Sequence, residues 1–425
     1  MARKRKTKKA NKAPSEIKSH KDLVHHVADL AAEFTKDFRD ASAVTGGSTS
    51  LDSLVKGHVP TGDTCFDAML QGGFPLGRVV QIFGSESTAK STLAQCAMIQ
   101  CTKMGGIPIL IDPEQSFDPD RYTRMGGDPD AVLVLQKEYS PDVVKSSKAK
   151  KKSLPAITVQ DVFKYIHDIL YKISTTSAWA DRPILVVLDS LDNVTTDEAL
   201  LDEPQSMGAK PILIREGFRK VTYPIAMLGA CFIIVSQTIE SIGGYSKGPK
   251  TSGGGGPKFI SSIRIHTKSH YMESNDFYTK RGDKSKTGNL LVRANVIKNK
   301  LNRPYLSCVT AINNDSEQAQ EGVDPDVSLL YELGEHLVKT KPGVAYRYLH
   351  LSPASEALQV IAAEFGLPVE TDIPFIMSSW REFVQSTPGL REYLTQFVYE
   401  QFKRPGVYSV KEEDDEQIEN PGSSE

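Results

Sequence analysis

The chain has no long apolar run. Its longest strongly apolar stretch, Ile225 to Val235, is far shorter than the ~20 residues that span a bilayer, so neither a membrane-crossing helix nor a membrane partner is expected. The N-terminus is basic with no apolar segment behind it, and a secretory leader is not expected either. Cysteine is sparse: Cys65, Cys96, Cys101, Cys231 and Cys308 are odd in number and form no CxxC pair. That argues against a disulfide framework or a zinc site and points to a reducing cytoplasm. Repeats with a period of 20 to 50 residues are also lacking, which excludes solenoids and propellers.

Net charge is almost absent at −2, but the charge is segregated. Arg3 to Lys12 and Lys145 to Lys152 are basic blocks, and Glu412 to Glu416 is an acidic one. Such blocks are solvated segments that also touch polyanions or compete with them.

What remains is an ordinary globular composition, 39% hydrophobic and 24% charged over 425 residues. That length suits one large core and a smaller domain. Residues 1–20 form a basic tail of disordered composition. Leu23, Val24, Val27, Leu30, Ala31 and Phe34 recur at helical spacing, which predicts an N-terminal helix and linker over 21–50. The main domain is expected over 51–322, a small α+β domain over 323–405 and an acidic tail over 406–425. Within the main domain, short apolar runs (Val79 to Phe83, Ile107 to Ile111, Ile184 to Leu188, Phe232 to Val235) alternate with helix-like segments. This pattern predicts an α/β fold with a mostly parallel sheet flanked by helices, and ligands at the strand ends. Ile242 to Lys258, with seven glycines, predicts a mobile loop, and Val144 to Leu154 a surface excursion.

The segment VVQIFGSESTAKSTLAQ sets a glycine turn between a β-branched strand and a helix, in the form GxxxxAK[ST]. Backbone N–H groups from Gly84, Ser85, Glu86, Ser87, Thr88, Ala89, Lys90, Ser91 and Thr92 would cradle phosphate. Lys90 would neutralise its oxygens, and Ser91 would offer a hydroxyl to Mg2+. Ala89 stands where this loop usually has glycine, and it fits only a backbone of negative φ without strain. ILVVLDS ends in Asp189, either a magnesium-holding carboxylate or a helix N-cap. Glu114 closes the strand IPILIDPEQ as a candidate general base, with Asp112 its rival. FIIVSQ ends in Gln237, close before the glycine loop, where an amide could report nucleotide state.

In order, PTGDTCFDAMLQGGFPLGRVVQIFGSESTAKST, ILIDPEQSFDP, ILVVLDS, SMGAK, FRKV, IIVSQ, GGGGPKFISSIRI and VIKNKLNRPY resemble the RecA family of DNA recombinases, and within it the UvsX-like recombinases of phages. The similarity runs from about Pro60 to Tyr305. It implies a RecA-like P-loop NTPase core that hydrolyses ATP with Mg2+ and forms helical filaments on single-stranded DNA. The filament would pair that strand with double-stranded DNA in recombination and repair, aided by single-strand-binding and loading proteins, in a bacterial host cytoplasm.

Carried over by residue, the resemblance makes Glu114 the catalytic carboxylate and Gln237 the nucleotide sensor. Lys298 and Lys300 become the pair that reaches a neighbouring subunit's γ-phosphate, and Phe259 the residue pressed into that neighbour. Asp118 matches an acid near the adenine, and Arg121 stands where the family has a stacking tyrosine, with Tyr122 one place on. The first DNA-binding loop would span Asp197 to Lys210, including Met207, Gly208 and Lys210, with Arg219 on the next helix. The second would span Glu240 to Lys258, with Lys247, Lys250, Gly253, Gly254, Gly255, Gly256 and Lys258, followed by Arg264. Glycines allow close approach to phosphates and lysines supply charge. The basic tail and the Lys145 to Lys152 insertion have no counterpart in bacterial RecA, whereas the acidic tail resembles one that restrains DNA binding. Two rival readings stay open: a RecA-like motor or mediator without strand exchange, and a single-strand binder that retains ATP binding alone.

Overall fold

The computed structural model describes residues 55–137, 156–179, 181–201, 208–239, 250–251, 255–269, 290–314, 320–333, 337–340, 346–376 and 379–403. The expected basic tail, N-terminal helix, Lys145 to Lys152 insertion and acidic tail lie outside them. In chain order the elements are β1 (His58–Val59), α1 (Thr64–Met69), β2 (Phe74–Pro75), β3 (Val79–Gly84), α2 (Lys90–Lys103), β4 (Ile107–Ile111), α3 (Pro119–Arg124), β5 (Leu133–Leu135) and α4 (Val159–Ser174). They continue with β6 (Ile184–Leu188), α5 (Asp197–Leu200), α6 (Ala209–Leu228), β7 (Ala230–Ile239), β8 (Lys250–Thr251), α7 (Gly255–Ile260), β9 (Ile263–Ser269), β10 (Leu290–Asn299), β11 (Ser307–Asn313), β12 (Gly322–Val323) and α8 (Pro325–Leu333). The last are β13 (Val338–Thr340), β14 (Tyr346–His350), α9 (Glu356–Phe365), β15 (Asp372–Ile376), α10 (Trp380–Ser386) and α11 (Leu390–Lys403). No described helix is long and apolar enough to cross a membrane.

The main sheet runs β12-β11-β10-β9-β3-β7-β6-β4-β5, with β8 paired to β7. From β9 to β5 this path is parallel, and β10, β11 and β12 extend it antiparallel. β3 and β6 are buried along their whole length, as expected of strands covered on both faces. Alternation then divides the side chains. Val80, Ile82, Leu185, Val187, Ile233 and Val235 join α2 in one core, while Val79, Val186, Leu188, Phe232 and Ile234 join α4 and α6 in another. In α4, Val159, Val162, Phe163, Ile166, Leu170 and Ile173 are buried, a stripe of period 3.6. A capping box between Thr158 and Asp161 starts that helix.

Of the glycine-rich segment, the described residues 250–251 and 255–258 lie in regular elements. β8 pairs antiparallel with the end of β7, Ile239 opposite Lys250, and α7 forms at Gly255. A Cβ on Gly256 would come within 2.9 Å of Ile214 Cγ2, so the absence of a side chain lets this helical turn lie against α6.

The C-terminal elements do not have a core to themselves. Trp380, Tyr393, Leu394 and Val398 belong to the same buried cluster as Phe66 and Met69 of α1. Asp63 sits at this junction. Its carboxylate caps α1 by accepting from Cys65 N at 3.0 Å and Phe66 N at 2.9 Å, and it also takes the Ser328 hydroxyl from α8. Burial pushes its pKa up from 3.8 to about 7, since little water is left to solvate the charge. The folded protein therefore holds this proton more tightly than the unfolded chain. The resulting stability is complete below about pH 4 and is lost as pH rises through 7. Between pH 5 and 8 we expect a loss of roughly 1–3 kcal/mol from this group, which Asp63→Asn abolishes. Denaturant titrations of both proteins at the two pH values measure the difference, and equal pH slopes would contradict it.

Candidate nucleotide site

Because the strands are parallel, the ends of β3, β4, β6, β7 and β9 come to one edge of the sheet. Gly84 lies between Gln237 of β7 and Thr267 of β9 in the parallel register. The fit is close: a Cβ on Gly84 would come within 2.2 Å of the Thr267 carbonyl oxygen. The loop then folds back. Thr88 Oγ1 donates to Ser85 O at 2.9 Å and meets Thr267 Oγ1 at 2.9 Å. Lys90 Nζ donates to Ser85 O at 2.5 Å.

Ala89 adopts φ 58°, ψ 20° and caps α2 with a left-handed backbone. The loop therefore does need a positive φ here, and its Cβ carries the strain that glycine avoids, about 1–2 kcal/mol. Ala89→Gly removes that strain but adds unfolded-chain entropy of ~0.5–1 kcal/mol. We expect a net gain of up to about 1 kcal/mol, or roughly 2 °C in Tm. A calorimetric scan that shows a lower Tm would mean that the methyl group makes contacts outweighing the strain.

Beside the loop, Ser91 donates a hydrogen bond to Asp189, whose carboxyl burial pushes up to about 6. The pair expected to hold a metal is thus brought together, and Asp189 caps no regular helix: the next residues form the short turn Leu191–Asn193. Burial lowers the Lys90 pKa, while Asp189, Asp192, Glu86 and Glu114 oppose that shift.

Asp112 and Glu114 are sharply distinguished. Asp112 is buried, and its oxygens accept from Ser116 N, Phe117 N and Gln136 Nε2 at 3.2, 3.0 and 2.8 Å, so it is consumed in folding its own loop. Glu114 is exposed at the sheet edge and accepts from Ser190 Oγ at 2.6 Å and from Asn193 Nδ2. Neither donor was anticipated, although the polar run SLDN directly after the strand ILVVLD could have suggested them.

Two expectations need correction. Tyr122 is fully buried, packed on Phe117 at 5.3 Å between ring centroids, and does not face a nucleotide. Successive helical residues point about 100° apart, so when Tyr122 enters the core its neighbour Arg121 reaches outward to Thr92 Oγ1 at 3.1 Å. Arg121 thus does lie against the P-loop helix, while the Asp118 carboxylate caps α3. Arg264, expected at DNA, is only 5% exposed. It donates to Gln81 Oε1 at 2.7 Å and lies over the Phe83 ring at 4.6 Å, because β9 is an interior strand.

Of the expected DNA-contacting residues, Met207, Lys247, Gly253 and Gly254 lie outside the described residues, and Lys250 is described only as backbone of β8. Gly208 caps α6 in a left-handed conformation, and Lys210 follows it, donating to Asp192 O at 3.2 Å. Arg219 and Lys258 are exposed, and Gly255 and Gly256 open α7.

Lys298 and Lys300 do not join this edge. Lys300 N bonds to Ser262 O, and Ser262 N to Val79 O, which aligns Lys300 with the start of β3. Gly84 is five residues farther, or about 16 Å at ~3.3 Å per residue. Lys298 Nζ donates to Lys258 O at 2.7 Å and Phe259 O at 3.1 Å. Burial, helped by Lys300, Arg264 and Lys258, lowers its pKa to about 8. Phe259 beside it is 74% exposed.

The RecA N-terminal domain family model matches residues 26–156. Protein RecA of Bifidobacterium breve is 28% identical over 307 residues, covering 71% of this chain and 69% of that protein. Protein RecA of Leifsonia xyli subsp. xyli is 27% identical, with coverage of 79% and 82%. Over most of its length the chain is thus similar to RecA proteins. A third RecA, from Paenarthrobacter aurescens, is 27% identical and is covered over 86% of its length, with 84% of this chain. The family match takes in the phosphate loop and Glu114.

Proposed function

We propose that this RecA-like chain is a DNA-dependent ATPase that polymerises head to tail on single-stranded DNA and catalyses homologous pairing and strand exchange. One observation carries the reading: two sets of residues with complementary chemistry lie at opposite ends of β3. One end has the phosphate loop, Asp189 and Glu114. Toward the other lie Lys300, about 16 Å back along the strands, Lys298, level with Gln81 and about 10 Å back, and the exposed Phe259, all out of reach of their own loop. Different surfaces that need each other favour heterologous contacts, which propagate as a helix when they do not close.

In this reading Lys90 and the loop's N–H groups bind the phosphates of ATP, and Arg121 lies where the base would be held. Ser91 and Asp189 are hard oxygen donors already bonded to each other, a pair that suits magnesium, which when bound would neutralise phosphate charge. Glu114 orients the attacking water and takes its proton. A neighbour's Lys298 and Lys300 add positive charge from the far side, as an arginine finger does. Gln237 reports the occupied site to the glycine-rich segment, where Lys247, Lys250 and Lys258 meet DNA phosphates.

Turnover of ATP should rise at least tenfold when single-stranded DNA is added, and an ATP analogue should yield helical filaments by electron microscopy. Rings would favour a motor, and absence of turnover a simple binder. A strand-exchange assay on the same protein separates recombinase from mediator.

The shared site is tested by mixing two inactive variants. Lys298→Ala keeps its phosphate loop and Lys90→Ala keeps its lysine pair, so roughly a quarter of the interfaces in an equimolar random mixture are complete. Turnover should reappear on mixing, and a mixture as inactive as its components would sink the intersubunit role.

A further inference from the structure

The turn after β6 makes four contacts that phosphate binding alone does not require. Ser190 Oγ and Asn193 Nδ2 both donate to Glu114 Oε1. Between them, Asp192 Oδ2 accepts the backbone N–H of Gln237 at 2.7 Å, and the Asp192 carbonyl accepts the Lys210 ammonium at 3.2 Å. Gln237 lies near the end of β7, where the chain runs into the glycine-rich segment, and Lys210 lies in the first turn of α6. Leu191 is buried in the core under α4 and α6 and fastens the turn to the sheet. The Asp192 carboxylate also favours the charged forms of both Lys90 and Lys210.

We propose that the Ser190–Asn193 turn is a positioning element that couples the two DNA-facing segments to the carboxylate of Glu114. The inference rests on the reading of this chain as a DNA-dependent ATPase with Glu114 as its base. A short turn held at both ends moves as one piece. Displacing Gln237 N or Lys210 shifts Asp192, and the Asn193 amide next to it shifts the carboxylate it holds. A general base works only within about 2.6–3.2 Å of its proton, so a small displacement separates an idle arrangement from a productive one. Ser190 and Asn193 are thus positioning residues for Glu114, and Asp192 is the link to the DNA side.

The test uses the full chain. ATP hydrolysis is measured with and without single-stranded DNA, and DNA affinity with and without a non-hydrolysable ATP analogue. Asn193→Ala should lower DNA-stimulated kcat about tenfold, with KM for ATP held within about twofold. Asp192→Ala should reduce the ratio of the two DNA affinities by about fivefold or more. Asp192→Asn, which keeps an acceptor oxygen for Gln237 N, should restore that ratio. An unchanged kcat in Asn193→Ala, or an unchanged affinity ratio in folded Asp192→Ala, overturns the coupling role. Asn193 is exposed, so its variant folds and decides the matter even where Asp192→Ala does not. Wild type that DNA fails to stimulate overturns the ATPase reading and the coupling together, whereas stimulated wild type with unaffected variants overturns the coupling alone.

Discussion

The close approach of β3 to β9 and β7 at Gly84 is the constraint on which the nucleotide site depends. Both neighbours run parallel to β3 and reach the same level, with Thr267 on one side and Gln237 on the other. The gap beside the Thr267 carbonyl leaves no room for a Cβ. The chain therefore leaves the sheet as bare backbone, turns through two left-handed residues, Ser87 and Ala89, and enters α2. Asp189 and Glu114 reach that edge only because β6 and β4 are parallel to the same strand.

The same sheet keeps opposite charges at a distance from each other. Acidic groups gather at the carboxyl edge, where burial favours a protonated Asp189 and disfavours a charged Lys90. At the far end Lys298, Lys300 and Lys258 crowd together, and burial and mutual repulsion lower the Lys298 pKa. Each cluster is costly by itself and would be relieved by the opposite charge of the other, which one chain cannot supply across the length of its own strand. In the proposed filament these two clusters would meet at the interface.

Much of this was legible in the sequence. The β-branched runs became the buried parallel strands, and the glycine turn between strand and helix became a phosphate loop. The α4 stripe is visible as a 3.6-residue period. In the glycine-rich segment, pairing with β7 at Lys250–Thr251 and packing on α6 at Gly256 are long-range contacts that composition does not show. Tyr122 and Arg264 lie away from the surfaces that their chemistry suggests, for a related reason. An aromatic at a base-binding motif and a cation after a DNA loop have an obvious chemical role, but one is turned inward by helical phase and the other sits on an interior strand.

By itself, the sequence determined the fold class, the phosphate loop and the identity of the acids that could serve it, because periodicity and motif spacing are local properties of the chain. Spacing alone could not distinguish Asp112 from Glu114, two carboxylates two residues apart, and only the resemblance favoured Glu114. The tertiary structure gives them different surroundings, by closing a loop over Asp112 and bringing Ser190 and Asn193, more than seventy residues away, to Glu114. The positive φ of Ala89 and the separation of Lys298 from its own loop were likewise decided there. The second follows from strand register, which is set by packing between distant segments and leaves no mark on residues adjacent in the chain.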